Sequence, residues 1–288
     1  MQRILLGFGT IAFVGAIAVA STGAFFSDTE TSTGNTFAAG SIDLTVDSTQ
    51  HYNNAICVNG TWQLAPSATV AIDQYPVIGS PCDGSWAMTN LGPTNKFFNF
   101  GDVKPGDQGE DTVSLHINNN PAYACVDLVT TGNNENDLID PESKAGDVSS
   151  STGELAQNIH FLAWLDNAST SGAVAGDNIW QVGEPLLQSD TVLSSLIGAT
   201  TTLTLADGAL NGGTPLPGGA TNYIGMYWCA GTITGGAGNL GCDGTTMGNQ
   251  AQTDSATTTV SFRVIQSRNN GAFRCNPQPV EQVVNTVS

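Results

Sequence analysis

Short segments in which apolar and polar side chains alternate recur along this sequence, and clusters of turn residues separate them. Ile42, Leu44 and Val46 form one such series, and Thr112–Ile117 contains another. Side chains two residues apart lie on the same face of a β-strand, so each segment would present one apolar face to a core. The sequence also has 34 glycines and no long stretch with helical periodicity. This pattern predicts an all-β fold.

Further segments are rich in β-branched and aromatic residues and predict more strands. They are Cys125–Thr130, Ile159–Asp166, Thr201–Leu205, Tyr223–Cys229 and Thr257–Gln266. The second of these is almost continuously apolar, which is typical of a strand buried on both faces. Asp190–Gly198 predicts one or two helical turns with Asp190 as the cap. Gly132–Gly153 reads as an acidic surface loop and Gly231–Gly241 as a glycine-rich loop.

The N-terminal residues 1–24 have the pattern of a signal peptide. Arg3 precedes an apolar run, Ile4–Ala20, and small residues lead to a predicted cleavage after Ala24. A retained membrane anchor is the alternative, because an apolar run of 17 residues nearly reaches the minimum for a bilayer span. Cleavage would give a secreted, extracellular protein that has no membrane contact after processing.

The segment Phe25–Thr36 would then become an N-terminal arm. It opens with Phe25 and Phe26 and continues with threonine and serine, which suit an extended conformation. A free extended segment can pair with an exposed sheet edge, and burial of one phenylalanine contributes about 1.5–3 kcal/mol. The arm is therefore a candidate for donation to a neighbouring copy. The alternative is a disordered N-terminal tail.

The predicted organisation is a single domain over residues 37–275, followed by a C-terminal tail at 276–288 with few core residues. His51–Lys96 reads as a loop-rich insertion at about 51–96 in this domain. Lys104–Asp107 has the proline and glycine positions of a tight turn that leads into a strand.

Six cysteines behind an export signal, with no C-x-x-C pair, favour disulfides over metal binding. Cys57 and Cys82 are close in sequence, and a bridge between them would fasten the insertion. Cys229 and Cys242 are similarly close. Cys125 and Cys275 would then pair by elimination, although six cysteines permit fifteen connectivities.

The net charge of −18 argues against a nucleic-acid partner, since phosphates require basic side chains. An acidic surface suits a solvated extracellular protein, and it also suits one that collects divalent cations. The strongest local pattern for a cation is the loop Trp164–Glu184, which offers hard oxygen ligands of the kind that Ca²⁺ prefers. These are Asp166, Asn167, Asp177, Asn178 and Glu184. The spacing departs from that of an EF-hand, and an acidic loop held by Asx turns is the alternative.

The usual marks of catalysis are missing from the sequence. The histidines His51, His116 and His160 are far apart, and no H-E-x-x-H or G-x-S-x-G motif occurs. We therefore expect a protein that is not an enzyme.

Three stretches resemble a known family. They are the leader ending in GAFFSDTET with the following TFAAGSIDLTVD, then FGDVKPGDQGEDTVSLHI, and finally Tyr227–Asn270, which begins YWCAG and ends in GNQAQTDSATTTVSFRVIQSRNN. They are similar to the TasA/camelysin-like proteins, which are exported, are processed by a SipW-type signal peptidase, and include biofilm-matrix proteins and archaeal bundling-pilus relatives.

The resemblance implies a jelly-roll β-sandwich whose copies assemble into extracellular fibres, the N-terminal arm of one subunit completing a sheet of the next. The expected partners are other copies of the chain and the signal peptidase. Two alternatives remain at this point. One is a monomeric secreted module that binds Ca²⁺ or sugar. The other is a metallopeptidase, because camelysin-like relatives are classed as such.

Overall fold

The computed structural model of the protein describes residues 42–66, 68–69, 72–168 and 172–276. The predicted signal peptide with its cleavage at Ala24, the arm with Phe25 and Phe26, and the tail beyond residue 276 lie outside the described residues. Within them the chain forms thirteen β-strands and two short α-helices. None of the helices in the described part has the length and apolarity that a membrane span requires.

The strands form two principal antiparallel sheets and one hairpin. Their bounds are β1 Leu44–Tyr52, β2 Ala55–Val58, β3 Thr61–Leu64, β4 Trp86–Thr89, β5 Gln108–Ile117, β6 Ala122–Asn134, β7 Ile159–Leu165, β8 Leu186–Val192, β9 Thr201–Ala206, β10 Ala220–Ala230, β11 Thr232–Gly236, β12 Asn239–Asp243 and β13 Ser255–Gln266. The helices are α1 Asp140–Ala145 and α2 Leu155–Asn158. The larger sheet has the order β3-β2-β1-β5-β10-β7-β8 with β4 beside β1, and the smaller has the order β13-β6-β9.

The two sheets enclose one apolar core. Val113 and Leu115 of β5 belong to the same buried cluster as Val126 and Leu128 of β6 and Leu203 of β9. After β5 the chain crosses to the smaller sheet for β6 and returns to the larger sheet for β7 and β8. It then crosses to the smaller sheet for β9, returns to the larger sheet for β10, and ends in the smaller sheet with β13. Repeated crossing between two packed sheets is a feature that jelly rolls share with other β-sandwiches. The predicted all-β, jelly-roll-like sandwich with few short helices is confirmed.

Two local predictions are wrong. Asp190 does not cap a helix but lies in β8, where its carboxylate contacts the His160 ring at 2.8 Å. The predicted helical turn itself is present, as the 3₁₀ turn Leu193–Leu196. Gly231–Gly241 is not a loop but contains most of the β11–β12 hairpin. The hairpin segment is rich in glycine and threonine and has no apolar alternation of its own, so contacts with neighbouring elements determine its conformation.

The segment predicted as a loop-rich insertion contributes three strands to the larger sheet. β2 and β3 continue antiparallel from β1, and β4 pairs with β1 at Val46 and Ser48. The disulfide Cys57–Cys82 closes this segment over a separation of 25 residues.

All six cysteines form disulfides, in the pairs that sequence spacing predicts. Cys229–Cys242 fastens the β11–β12 hairpin to β10. Cys125–Cys275 joins β6 to the segment that follows β13. Three disulfides fit a protein of an oxidising, extracellular environment.

Candidate functional site

Asp166, the first predicted Ca²⁺ ligand, serves as the internal support of its loop. It directly follows β7 and is fully buried. Its carboxylate accepts hydrogen bonds from the backbone N–H of Gly176 at 3.1 Å and of Asn178 at 2.9 Å. Burial raises the pKa of this carboxyl to about 6, although the two backbone hydrogen bonds act in the opposite direction. Asp166 therefore holds the two sides of the loop together.

The other predicted ligands also bond within or beside the loop. Asn167 Oδ1 accepts a hydrogen bond from the backbone N–H of Tyr223 at 2.8 Å. Asp177 accepts two from the side-chain amide of Gln181, and Glu184 Oε2 accepts one from the Gln181 backbone at 2.9 Å. In the part of the chain that is described, the loop's carboxylates do not form a group of three close enough to share an ion. The observed hydrogen bonds are those of a loop fastened by its own polar side chains.

Asn178 connects this loop to the larger sheet. Its side-chain amide donates to Glu110 of β5 at 3.2 Å, and burial raises the pKa of Glu110 to about 7. Beneath the loop lies a second small core on the outer face of the sheet, formed around Trp164 and Tyr227 and covered by Trp180. The loop's observed contacts thus make it a cover for this outer core.

The histidines do not meet at one place. His116 contacts Asp47 at 2.6 Å, and His160 contacts Asp190 at 2.8 Å on a different strand pair. Burial lowers the pKa of His51 below its ordinary value. Among the described residues, no group of three potential metal ligands contains a histidine.

The most conspicuous open feature of the sandwich is the edge strand β13. It has 12 residues and pairs with β6 along its whole length, but no described strand pairs with its other side. It is the longest of the described strands that have a partner on one side only. In an antiparallel pair, part of each strand's N–H and C=O groups point away from the partner. β13 therefore presents a row of backbone groups ready to pair with another strand.

The inward side chains of β13 are covered incompletely. Val260, Phe262 and Val264 pack against the core cluster yet are only half-buried, whereas Val126 and Leu128 on the adjacent β6 are fully buried. The apolar side chains of this edge therefore keep surface that a further strand could cover.

An apolar groove runs beside β13 between the two sheets. Its larger part has a volume of about 580 Å³ and is lined from both sheets, by residues that include Trp228, Leu128 and Val260. A smaller part of about 260 Å³ lies between β1 and β13. Leu91 lines both parts and Phe98 the larger, and each side chain is 38% exposed. An unpaired edge above an apolar groove is the arrangement that binds an extended peptide by strand addition.

Sequence reasoning missed a group of carboxylates elsewhere in the protein. Glu135 follows β6, Glu154 precedes α2, and Asp254 precedes β13, and oxygens of all three lie within 4.8 Å of one another. The only signal in the sequence was the acidic character of Gly132–Gly153, because the third residue comes from a segment about a hundred positions further along.

In comparisons with known proteins, no family model matches this chain and no curated protein matches it.

Proposed function

We propose that this protein is a secreted structural subunit that assembles with copies of itself into extracellular filaments. The N-terminal arm Phe25–Thr36 of one copy pairs with β13 of the next and fills the groove beside it. The observation that carries this proposal is the 12-residue edge of β13, unpaired within the described chain and lying over an apolar groove. The three disulfides support the extracellular part of the proposal.

The arm matches this edge in length and in side-chain pattern. Phe25–Thr36 also has 12 residues, and an extended arm places alternate residues on opposite faces. One face contains no charge, since it has Phe25, Ser27, Thr29, Thr31 and Thr33. The other has Phe26, Asp28, Glu30 and Ser32. Burying a charge in an apolar groove is costly, so the uncharged face turns inward and the acidic face stays in water.

The energetics favour insertion of a single aromatic anchor with a ladder of backbone hydrogen bonds. Phe25 on the inward face contributes about 1.5–3 kcal/mol when buried. Each backbone hydrogen bond along β13 adds about 0.5–1.5 kcal/mol and opposes the entropy lost when the arm becomes ordered. The exposed face of β13 is polar, with Thr257, Thr259 and Ser261 in solvent, so the edge remains soluble before it is paired.

A filament follows from the direction of the contact. Each copy would donate one arm and offer one groove, so the interface joins two different surfaces. Such head-to-tail contacts continue into an open filament unless the rotation closes a ring.

The proposal is tested by a pair of adjacent substitutions that introduce the same charge on opposite faces of the arm. Thr31→Asp places a carboxylate on the inward face and should abolish filaments in negative-stain electron micrographs. Ser32→Asp places it on the outward face and should leave filament length and number unchanged. Equal filament formation by the two variants would contradict the proposed register.

Deletion of residues 25–36 separates donation from folding. The deleted protein should remain a folded monomer with the melting curve of a single domain. A synthetic peptide of residues 25–36 should bind it with a stoichiometry of one and raise its melting temperature. Filaments formed by the deleted protein without peptide would refute the proposed function.

A further inference from the structure

Three carboxylates from separate segments converge on one point. Oxygens of Glu135, Glu154 and Asp254 lie within 4.8 Å of one another. Oxygen ligands of Ca²⁺ lie about 2.3–2.6 Å from the ion, so two ligands on opposite sides are about 5 Å apart. The three oxygens therefore have the spacing of groups that share one calcium ion.

These oxygens have no hydrogen-bond partner, although they are removed from solvent. Both carboxylate oxygens of Glu135 are inaccessible to solvent and accept no hydrogen bond. The same is true of Oε2 of Glu154 and Oδ1 of Asp254. The other carboxylate oxygen of Asp254 is used, since it accepts the backbone N–H of Glu154 at 2.5 Å and of Leu155 at 3.2 Å. Buried polar groups in folded proteins are almost always satisfied, and an anion left unsatisfied is especially costly.

A fourth carboxylate, Asp147, lies near enough for its charge to act on all three of the others. Its side chain is only 6% exposed. Its Oδ1 accepts the backbone N–H of Ser149 at 2.8 Å, while its Oδ2 is inaccessible and has no partner. The negative charge of Asp147 is one of the causes that raise the pKa of the Glu135 carboxyl, after burial and the charges of Asp254 and Glu142. Two carboxylates in contact repel each other unless a proton or a cation lies between them.

No basic side chain of the described chain compensates these charges. Lys144, the nearest in sequence, pairs with the exposed Asp140 at 3.1 Å. Glu142 adds a fifth carboxylate and is fully buried. Both of its oxygens are occupied, by the backbone N–H of Ile139 at 2.7 Å and the hydroxyl of Thr253 at 3.3 Å. Glu142 therefore holds the surrounding segments in place and adds negative charge near the four open carboxylates.

We propose that Glu135, Asp147, Glu154 and Asp254 form a binding site for one Ca²⁺ ion, with Glu142 as a positioning residue. The ligands are all hard oxygens, which Ca²⁺ and Mg²⁺ share as a preference. Four carboxylates from separate segments suit the larger and less regular coordination shell of Ca²⁺, whereas Mg²⁺ retains several waters and requires octahedral geometry.

The ion would add one more link between segments that hydrogen bonds already join. Its ligands come from the end of β6, the segment after α1, the start of α2 and the start of β13. Gly153 permits this convergence, since a Cβ there would lie 2.7 Å from the Asp254 carboxyl carbon. Leu155 and Ala256 line the groove beside β13, and they lie one residue after Glu154 and two residues after Asp254. The site would thus fix the end of the groove at which β13 begins.

The experiment uses the purified protein after removal of metal with chelator. Titration with CaCl₂, and separately with MgCl₂, is followed by calorimetry, and the bound metal per chain is measured after dialysis. Glu135→Gln removes a carboxylate that has no hydrogen bond to lose. Asp140→Asn is the matched control in the same acidic segment, and Asp177→Asn tests the loop Trp164–Glu184 as a rival calcium site.

We expect one Ca²⁺ per chain, unaffected by Asp140→Asn and by Asp177→Asn. Loss of an outer-shell partner of a metal ligand typically weakens metal binding by about 10–100-fold. Glu135→Gln changes a direct ligand and should weaken Ca²⁺ binding by more than this. In chelator, the same variant should melt at or above the temperature of the unsubstituted protein, because it removes a repelling charge. At a calcium concentration about 100-fold above the dissociation constant, the melting temperature of the unsubstituted protein and of both control variants should rise by about 5–10 °C, and that of Glu135→Gln should not.

Four outcomes would overturn the assignment. They are no uptake of Ca²⁺, unchanged affinity in Glu135→Gln, loss of the ion in Asp177→Asn, and binding of Mg²⁺ that Ca²⁺ does not displace.

Discussion

Ser48 donates a hydrogen bond of 2.7 Å to the carboxylate of Asp111 inside the sandwich. The two residues lie on the paired strands β1 and β5, and both are buried, Asp111 completely. Asp111 Oδ2 has no partner. Burial raises the pKa of Asp111 well above its ordinary value of 3.8, although the hydrogen bond from Ser48 opposes this effect.

The raised pKa of Asp111 makes the stability of the fold depend on pH. Because the folded state binds this proton more tightly than the unfolded chain, the contribution of Asp111 is complete below about pH 4. It is lost as pH rises toward the folded pKa, by about 1.4 kcal/mol per pH unit. Asp111→Asn should remove this contribution to the pH dependence of the free energy of unfolding, measured with urea between pH 5 and pH 6. Asparagine can still accept the hydrogen bond from Ser48, so the variant should stay folded.

Asp140→Asn provides the control for this measurement, because the Asp140 side chain is 88% exposed and lies outside the sandwich. Its stability should follow pH as that of the unsubstituted protein does. If the free energy of unfolding of Asp111→Asn changed with pH as steeply as that of this control, Asp111 would be ionised in the folded protein.

The three disulfides should contribute unequally to stability. In the chain-entropy treatment, a cross-link restricts the unfolded chain more when it closes a longer loop. Cys125–Cys275 spans 150 residues and Cys229–Cys242 spans 13. Replacing the first pair by alanines should cost about 5 kcal/mol and replacing the second about 3 kcal/mol, as measured by denaturant unfolding. Equal losses would indicate that strain or residual structure, and not loop length, governs their effect.

The sequence was informative about the fold wherever a strand carries its own apolar pattern. Thr112–Ile117 and Thr257–Gln266 alternate clearly, and the structure has both in strands. The hairpin β11–β12 has no such pattern, because glycine and threonine fill it. It is held instead by the Cys229–Cys242 bridge and by a hydrogen bond from Gly238 to the Trp180 carbonyl. Long-range contacts of this kind cannot be read from a local sequence window.

The candidate sites, like the strands, differ in whether a local stretch of sequence reveals them. The phenylalanines and alternation of the arm are visible in the sequence, whereas the groove beside β13 exists only after two sheets have packed together. A calcium site is predicted at Asp166 and Asp177 because these residues are close in sequence. Glu135 and Asp254 are far apart in sequence and meet only because β6 pairs with β13.

Gly225 of β10 should not tolerate a larger residue. A Cβ at this position would lie 2.1 Å from the Trp164 indole, which is fully buried under the loop Trp164–Glu184. Gly225→Ala should therefore cost about 1–3 kcal/mol in urea unfolding and alter the Trp164 environment in fluorescence spectra.

Gly132→Ala is the matched control on β6, where the nearest atoms to a Cβ lie at 3.4 Å, an ordinary contact. It should be neutral or stabilising by about 0.4–1 kcal/mol, because alanine restricts the unfolded chain. If the two variants were equally stable, the second core would be looser than the structure shows.

The groove beside β13 can be tested from the receiving side. Leu91→Asp places a charge in the groove that is proposed to receive the arm, and Leu91 is already 38% exposed, so the monomer should stay folded. Met88→Asp is the matched control, because Met88 is 59% exposed and lines neither part of the groove. Since an unpaired charge in an apolar groove costs several kcal/mol, only Leu91→Asp should prevent filament growth in light scattering. Its free arm should still enter the groove of an unsubstituted copy, so a small fraction of this variant should cap growing filaments and shorten them. Undiminished growth with Leu91→Asp would place the contact between copies elsewhere on the molecule.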